Sequence, residues 1–109
     1  MLTVDIHSNK ETVKEAMYTL KEHILTAKRD KDKLLCLIVG YGSKGTSHKI
    51  KTATIEALDE YLKSSFIKGY LLGENCDIFN SEYHKFIKRD RIPDLYKRST
   101  NKGVIFVAV

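Results

Sequence analysis

The feature that most constrains this chain is the unbroken apolar run at residues 34–39, Leu-Leu-Cys-Leu-Ile-Val. A run without polar alternation is typical of a central strand that is covered on both faces. Residues 2–7 alternate between apolar and polar side chains, which predicts a strand whose Leu2, Val4 and Ile6 point inward. Residues 66–72 and 103–109 are predicted to be two further strands. The chain is therefore expected to build its core around a sheet.

Two helices are predicted to alternate with these strands. The first has two competing capping boxes, Ser8 with Glu11 and Thr12 with Glu15. Its apolar residues follow helical spacing at Val13, Ala16, Met17, Leu20, Ile24 and Ala27. The second is expected at about residues 48–64, burying Ile50, Ala53, Ala57, Leu58, Tyr61 and Leu62.

With 109 residues the chain has room for one core, so residues 1–109 are expected to be a single domain. We predict an α/β fold, a two-layer β-α-β-α-β-β sandwich with helices on the sheet. Residues 73–102 form a polar insert before the last strand, helical around residues 81–89 and interrupted by Pro93.

The net charge of +5 is concentrated in one segment. Residues 83–102 hold seven basic and two acidic residues, whereas the remainder of the chain balances to zero. A basic block of this kind favours a polyanionic partner, and the interleaved aromatic residues are candidates for stacking on bases. A solvated helix face with a basic loop is the alternative. The basic candidates are Lys85, Lys88, Arg89, Arg91, Lys97 and Arg98, and the aromatic candidates are Tyr83, His84, Phe86 and Tyr96.

Cysteine use and hydropathy bear on the compartment. Cys36 and Cys76 do not form a disulfide framework, and Cys36 is interpreted as a small core residue. No apolar run approaches the roughly 20 residues of a membrane span, and the first residues do not resemble a signal peptide. We expect a cytoplasmic protein without a membrane partner.

A glycine-rich loop at residues 40–47 joins the central strand to the second helix. Backbone N–H groups of such a loop, together with a helix N-terminus, can bind phosphate. Gly40 and Gly45 have P-loop spacing, but Thr46 replaces the required lysine, which argues against a nucleoside triphosphatase. Lys44, His48 and Lys49 surround the loop as candidate phosphate contacts. A tight turn that needs glycine for its geometry alone is the alternative.

Asp5 and His7 lie two residues apart on the first predicted strand and so share one face. An aspartate beside a histidine can fix its tautomer and raise its basicity, as a general base or a metal ligand requires. The polar face of an edge strand is the alternative interpretation. His23 lies near the apolar stripe of the first helix and is interpreted as structural.

The order of these segments resembles the Smr (small MutS-related) domain family. The resemblance rests on Val4-Asp5-Ile6-His7, the helix opening at residues 12–16, the apolar strand and the glycine-rich loop. The family's motifs read Leu-Asp-Leu-His-Gly and His-Gly-Lys-Gly-Thr-Gly. The resemblance implies a fold similar to the C-terminal domain of translation initiation factor 3. It also implies nucleic-acid binding and, in many members, endonuclease activity on DNA or RNA.

The chain departs from the family pattern at identifiable positions. Ser8 replaces the glycine of the first motif, and Lys44-Gly45-Thr46 matches the second motif, with Ser47 in place of its last glycine. The motif histidine aligns with Gly42, or with Tyr41 if a gap is allowed. His48 is the candidate substitute for that histidine.

Three functions follow as expectations. The first is an endonuclease in which His7 is the general base or orients a metal-bound water, Asp5 orients His7, and the loop holds the phosphate. RNA cleavage would need no metal, whereas DNA cleavage would call for Mg²⁺ or Mn²⁺. The second is a nucleic-acid-binding module without catalysis. The third is a protein-interaction domain whose insert docks an acidic partner.

Overall fold

The computed structural model describes residues 2–6, 12–32, 34–40, 45–77, 79–89 and 103–109, and omits the side chains of 45–47 and 87–89. This part of the chain forms a small α/β domain with a mixed four-stranded sheet and three α-helices. In chain order the elements are β1 (Leu2–Asp5), α1 (Val13–Arg29), β2 (Leu34–Ile38), α2 (Gly45–Lys63), β3 (Gly69–Leu72), a 3₁₀ turn (Gly73–Asn75), α3 (Ser81–Arg89) and β4 (Val104–Ala108).

The sheet has the strand order β1-β2-β4-β3. β1 pairs with β2 in parallel, and β4 lies antiparallel between β2 and β3. β2 is therefore central and is buried along nearly its whole length, which confirms the prediction from its apolar run. β1 is an edge strand, and Thr3 and Asp5 are exposed on one of its faces as predicted.

The side chains of β2 alternate between two hydrophobic clusters, one on each face of the sheet. Leu35 and Leu37 pack with α1 and α2, whereas Leu34 and Cys36 pack with Tyr83 and Phe86 of α3. The insert helix therefore covers the second face of the sheet, and the prediction of only two layers is wrong. Burial of Cys36 confirms that it is a core residue.

Helix α1 begins where the second capping box predicts. The Thr12 side chain accepts a hydrogen bond from the Glu15 backbone N–H at 3.2 Å, which satisfies a free donor of the first turn. Ser8 and Glu11, the competing pair, lie outside the described residues. The apolar stripe is buried as predicted, and His23 is half-buried beside it.

Helix α2 begins at Gly45 and ends at Lys63, so it starts earlier than the predicted residue 48. Ile50 and Leu58 are buried, but Leu62 is 42% exposed, and its predicted burial is wrong. Thr54 is also buried in the core, which its polar side chain did not predict. Burial is possible because the Thr54 hydroxyl donates a hydrogen bond to the Ile50 carbonyl of the same helix, at 2.7 Å.

The third predicted strand is shorter than expected, since residues 66–68 form a bend before β3. In this bend Ile67 is buried and the Phe66 ring packs edge-on against Tyr61, with 5.0 Å between ring centroids. The Lys28 ammonium of α1 lies 4.6 Å from the Phe66 centroid. The helix predicted in the insert is confirmed as α3, whereas Pro93 lies outside the described residues.

Candidate nucleic-acid interface

The parallel pairing of β1 with β2 places their carboxyl ends at the same edge of the sheet. Asp5 pairs with Ile38, and the Ile6 N–H donates to the Ile38 carbonyl at 3.1 Å. Gly40 follows with a φ of 75°, a conformation that glycine adopts without steric cost. The end of β1 therefore lies beside the segment that leads into α2.

The first turn of α2 begins at this edge. Gly45 is its first residue, rather than the residue before the helix as its place in the loop predicts. Residues 45–49 contain no acid, so the first turn of α2 itself contributes no carboxylate to the positive end of the helix dipole. Among the motif residues, Gly42 and Lys44 lie outside the described residues, and Gly45 and Thr46 are described by backbone only.

His48 and Lys49 are exposed on the first turns of α2 and line an open cleft of about 410 Å³. Val13, the first residue of α1, and Ala53 give this cleft an apolar part. The remaining lining residues are Thr52 and Glu56. The sequence could have predicted Thr52 and Glu56 as neighbours of His48 and Lys49, because positions 48, 49, 52, 53 and 56 share one face of a helix.

An ion pair fixes α2 against the 3₁₀ turn that follows β3. The Lys51 ammonium lies 2.9 Å from a Glu74 carboxylate oxygen, and both side chains are partly buried. Sequence reasoning missed this pair because its partners lie 23 residues apart and belong to different elements. The pair holds the start of α2 at the sheet edge.

The predicted catalytic residues occupy different faces of the molecule. Asp5 is exposed on the sheet face opposite α1 and α2, because Val4 and Ile6 beside it pack toward those helices. His48 lies on α2, on the other side of the sheet. His7, the residue meant to work with Asp5, lies outside the described residues.

The basic insert is described only over its helical part. Lys85 is exposed on α3, and its ammonium lies 3.8 Å from the Glu82 carboxylate on the same helix. Lys88 and Arg89 occupy the end of α3 and are described by backbone only, whereas Arg91, Lys97 and Arg98 lie outside the described residues.

Two of the three aromatic candidates on α3 do not face solvent. Tyr83 is 4% exposed and Phe86 is 7% exposed, and both pack against the sheet with Leu71 and Phe106. The expectation that Tyr83 and Phe86 stack on bases is therefore wrong, because their faces are covered by protein. His84 is exposed and makes an edge-on contact with Tyr83, with 5.5 Å between ring centroids. Tyr96 lies outside the described residues.

Shifted pKa values lie away from the α2 cleft. Burial, with a contribution from Asp77, raises the pKa of the Cys76 thiol, which favours the protonated form of a core residue. Burial also raises the pKa of Tyr61, with Glu60 adding to the effect. Burial and a hydrogen bond to Asp59 raise the pKa of Tyr70 to about 12.

The described residues do not form a metal centre. Within them, no group of three or more His, Cys, Asp or Glu side chains converges in a metal-binding arrangement. None of the helices in the described part of the chain is long and apolar enough to cross a membrane.

Comparison with known proteins gives no family for this chain. No protein-family model matches it, and neither a curated protein nor a solved structure matches it significantly.

Proposed function

We propose that this chain binds the phosphate backbone of nucleic acid at the edge of the sheet where β1 and β2 end and α2 begins. The observation that carries the proposal is the parallel β1–β2 pairing, which sets Asp5 beside Ile38 and therefore beside the loop into α2. The described ends of the two segments that resemble Smr motifs, Asp5 and Ile6 in one and Gly40 in the other, therefore lie toward the same edge of the sheet. An antiparallel pairing would have put them at opposite edges.

The chemistry at the start of α2 suits an anion. The first N–H groups of a helix have no intrahelical partner, and they carry the positive end of its dipole. His48 and Lys49 add exposed nitrogen donors on the same turns, next to the cleft. Phosphate is the anion that such a helix start binds most often in proteins.

The resemblance to the Smr family supports the same proposal. The described elements follow the family's order, β-α-β-α-β and then a closing strand, with α3 as an addition before β4. The fold we propose is thus related to the Smr domain and to the C-terminal domain of translation initiation factor 3. The histidine of the family's second motif is replaced here, so binding has more support than cleavage.

Phosphodiester cleavage is a second proposal, favoured by the exposure of Asp5 where β1 ends. His7 follows two residues later in the sequence and, with Asp5 orienting its ring, would take the proton from the attacking 2′-hydroxyl of RNA. The 2′-oxygen then bonds to phosphorus, the P–O5′ bond breaks, and the leaving oxygen takes a proton from water. His48 is the alternative base.

Binding is tested by measuring affinity for labelled RNA and DNA, single- and double-stranded, across a series of salt concentrations. We expect Lys49→Ala to weaken binding and to lower the log–log salt slope by about 0.7–0.9, as the loss of one phosphate contact requires. Lys63→Ala is the matched control, because Lys63 is exposed at the opposite end of the same helix. Equal behaviour of both variants would contradict a phosphate site at the start of α2.

A bulkier residue at the helix start gives an independent test. Gly45→Val is expected to weaken binding at least tenfold, or about 1.4 kcal/mol, because its side chain would crowd a phosphate held by the first amides. Circular dichroism checks that the variant is folded. A folded Gly45→Val protein with wild-type affinity would leave only a structural role for this glycine.

Cleavage is tested on the same oligonucleotides with Mg²⁺, with Mn²⁺ and with EDTA. His7→Ala should abolish cleavage and leave binding within a few-fold, whereas Asp5→Asn should cost less because the imidazole remains. Cleavage that persists in His7→Ala would direct the same test to His48.

A further inference from the structure

The outer face of α1 has an apolar centre that the core does not use. Tyr18 is 69% exposed, and Leu25, seven residues later, is 43% exposed. Seven residues are nearly two helical turns, so the two side chains lie on one line along the helix. The opposite side of α1 packs in the core through Ala16, Leu20 and Ile24, which are fully buried.

Charges of opposite sign lie on the two sides of this line. At about 100° per residue, Lys14 and Lys21 lie about 40–60° to one side of Tyr18. Glu15 and Glu22 lie about 40–60° to its other side. All four charged side chains are exposed. The face therefore has no net charge, but it has a basic margin and an acidic margin.

The four charges on these margins belong to no ion pair within the described residues. Their neighbours farther along α1 are engaged inside the chain. Arg29, which lies beyond Leu25 on the central line, pairs with Asp30 at 3.2 Å. Lys28, which continues the basic margin, lies over the Phe66 ring. The free charges are thus confined to the first four turns of the helix.

The cleft beside the start of α2 is separate from this face. Val13, which lines the cleft with Lys49 and Glu56, lies about 140° around α1 from Tyr18. Lys49 and Glu56 carry one charge of each sign, so the cleft adds no net charge to either margin.

A partner with charges of one sign would be repelled by one of the two margins. A second copy of α1 fits both, if a two-fold axis parallel to the helices relates the copies, because that axis turns the acidic margin of one toward the basic margin of the other. Lys14 then lies opposite Glu15 of the second copy, at heights that differ by about 1.5 Å. Lys21 and Glu22 meet in the same way. An antiparallel arrangement would set each margin against its own kind.

We infer that the outer face of α1 is the contact surface of a weak, parallel homodimer, in which Tyr18 and Leu25 lie along the two-fold axis and each lysine margin faces a glutamate margin. Exposed ion pairs contribute only about 0–1 kcal/mol each, so they set the orientation, whereas the apolar side chains supply most of the affinity. One helix of 17 residues offers less area than the roughly 1,200 Å² of a stable interface, so the dimer exchanges with monomer. The inference does not depend on the proposed function.

Sedimentation velocity tests the contact, with protein from low micromolar to near-millimolar concentration. We expect a monomer–dimer equilibrium in the wild type. Tyr18→Ala should raise the dissociation constant at least about tenfold, or 1.4 kcal/mol. Phe79→Ala is the matched control, because Phe79 is 90% exposed just before α3, and it should leave the constant unchanged. A wild type that stays monomeric, or equal constants in Tyr18→Ala and the wild type, would overturn the inference.

Charge exchange tests the margins. A variant with Glu15→Lys and Glu22→Lys has two basic margins, and one with Lys14→Glu and Lys21→Glu has two acidic margins. Each should stay monomeric alone, whereas an equal mixture should form a heterodimer that salt weakens. Circular dichroism checks that both variants are folded. Self-association of either variant as strong as that of the wild type, or a mixture that stays monomeric, would contradict pairing of the margins.

A disulfide tests the orientation. Leu25→Cys places two thiols at the two-fold axis of a parallel dimer, so mild oxidation should give a covalent dimer in non-reducing electrophoresis. The native Cys36 and Cys76 are buried, so the wild type should not cross-link. Phe79→Cys, an exposed thiol outside the contact, measures cross-linking by random collision. Equal yields in Leu25→Cys and Phe79→Cys would overturn the parallel dimer.

Discussion

Helices α1 and α3 both interleave basic and aromatic residues, yet they use their aromatic rings in opposite ways. In α3, Tyr83 and Phe86 are buried against the sheet. In α1, Tyr18 is exposed and the core contacts are aliphatic. Net charge and aromatic residues together pointed to the segment containing α3 as a binding surface, but the exposed tyrosine lies on α1.

The difference arises from which residues each helix has available for its core. Helix α1 spans 17 residues and supplies a full stripe of buried aliphatic side chains, so the core does not require the Tyr18 ring. Helix α3 spans nine residues, and its aromatic rings are needed to cover the second face of the sheet. An aromatic residue of a charged helix is therefore left exposed only when the helix fills its core contacts without it.

The largest expected effect is on stability. Phe86→Ala should lower the free energy of unfolding by about 3 kcal/mol, because it empties a core position of the α3 side. Tyr18→Ala should change it by less than about 0.5 kcal/mol. Urea denaturation followed by circular dichroism measures both. Similar losses in the two variants would break the contrast between the helices.

The next effect concerns the affinity for nucleic acid and the basic residues at the end of α3 and just after it. Replacing Lys88, Arg89 and Arg91 with Ala should weaken binding to all sequences alike and lower the salt slope by about 2–3, if each side chain contacts a phosphate. At about 0.1 M salt this corresponds to roughly a hundredfold loss of affinity. An unchanged affinity and slope in this variant would contradict a role for the basic insert in binding nucleic acid.

A smaller effect is expected at the helix starts. The Asn80 side chain accepts hydrogen bonds from the Glu82 and Tyr83 N–H groups at 2.8 and 3.2 Å, whereas Thr12 accepts one, from Glu15. Asn80→Ala should therefore cost about 1–2 kcal/mol and Thr12→Ala about 1 kcal/mol. Thermal unfolding of the two variants gives the order, and a reversed order would show that the longer helix depends more on its cap.

The smallest effect concerns Tyr70, which is half-buried and so lies between the exposed Tyr18 and the buried Phe86. Its pKa is raised to about 12 by burial and by the hydrogen bond its hydroxyl donates to Asp59. Because the folded pKa lies above the ordinary value near 10, this residue stabilises the fold fully below about pH 10. The contribution is lost as the pH rises toward 12.

Tyr70→Phe isolates this contribution. Unfolding experiments between about pH 9 and pH 12 should show a steeper loss of stability in the wild type than in Tyr70→Phe. Equal slopes in the two proteins would contradict the raised pKa of Tyr70.

Periodicity predicted the elements of this fold but not the layer to which each belongs. The alternation at Leu2, Val4 and Ile6 and the apolar run of β2 were enough to place an edge and a central strand. Burial of β2 on both faces required a cover on each, and α3 supplies the second. Helix α3 has nine residues in a charged segment, so its apolar periodicity is too weak to predict which face of the sheet it covers. Packing of its aromatic residues determines that face.

The candidate site was predicted less completely. The glycine-rich loop and Lys49 were predicted as candidates because their residue types carry the chemistry of phosphate binding. Tyr18 and the Lys51–Glu74 pair were missed, since exposure and pairing between distant elements depend on the assembled fold.

The place of β4 in the sheet bears on how the chain acquires its structure during synthesis. β4 separates β2 from β3 and pairs with residues about 70 positions earlier in the chain, so β3 has no neighbouring strand until residues 104–108 are available. Contacts of such long sequence separation slow folding, and a nascent chain that ends at α3 would expose the apolar faces of β2 and β3. Most of this sheet is therefore expected to assemble only after β4 has left the ribosome.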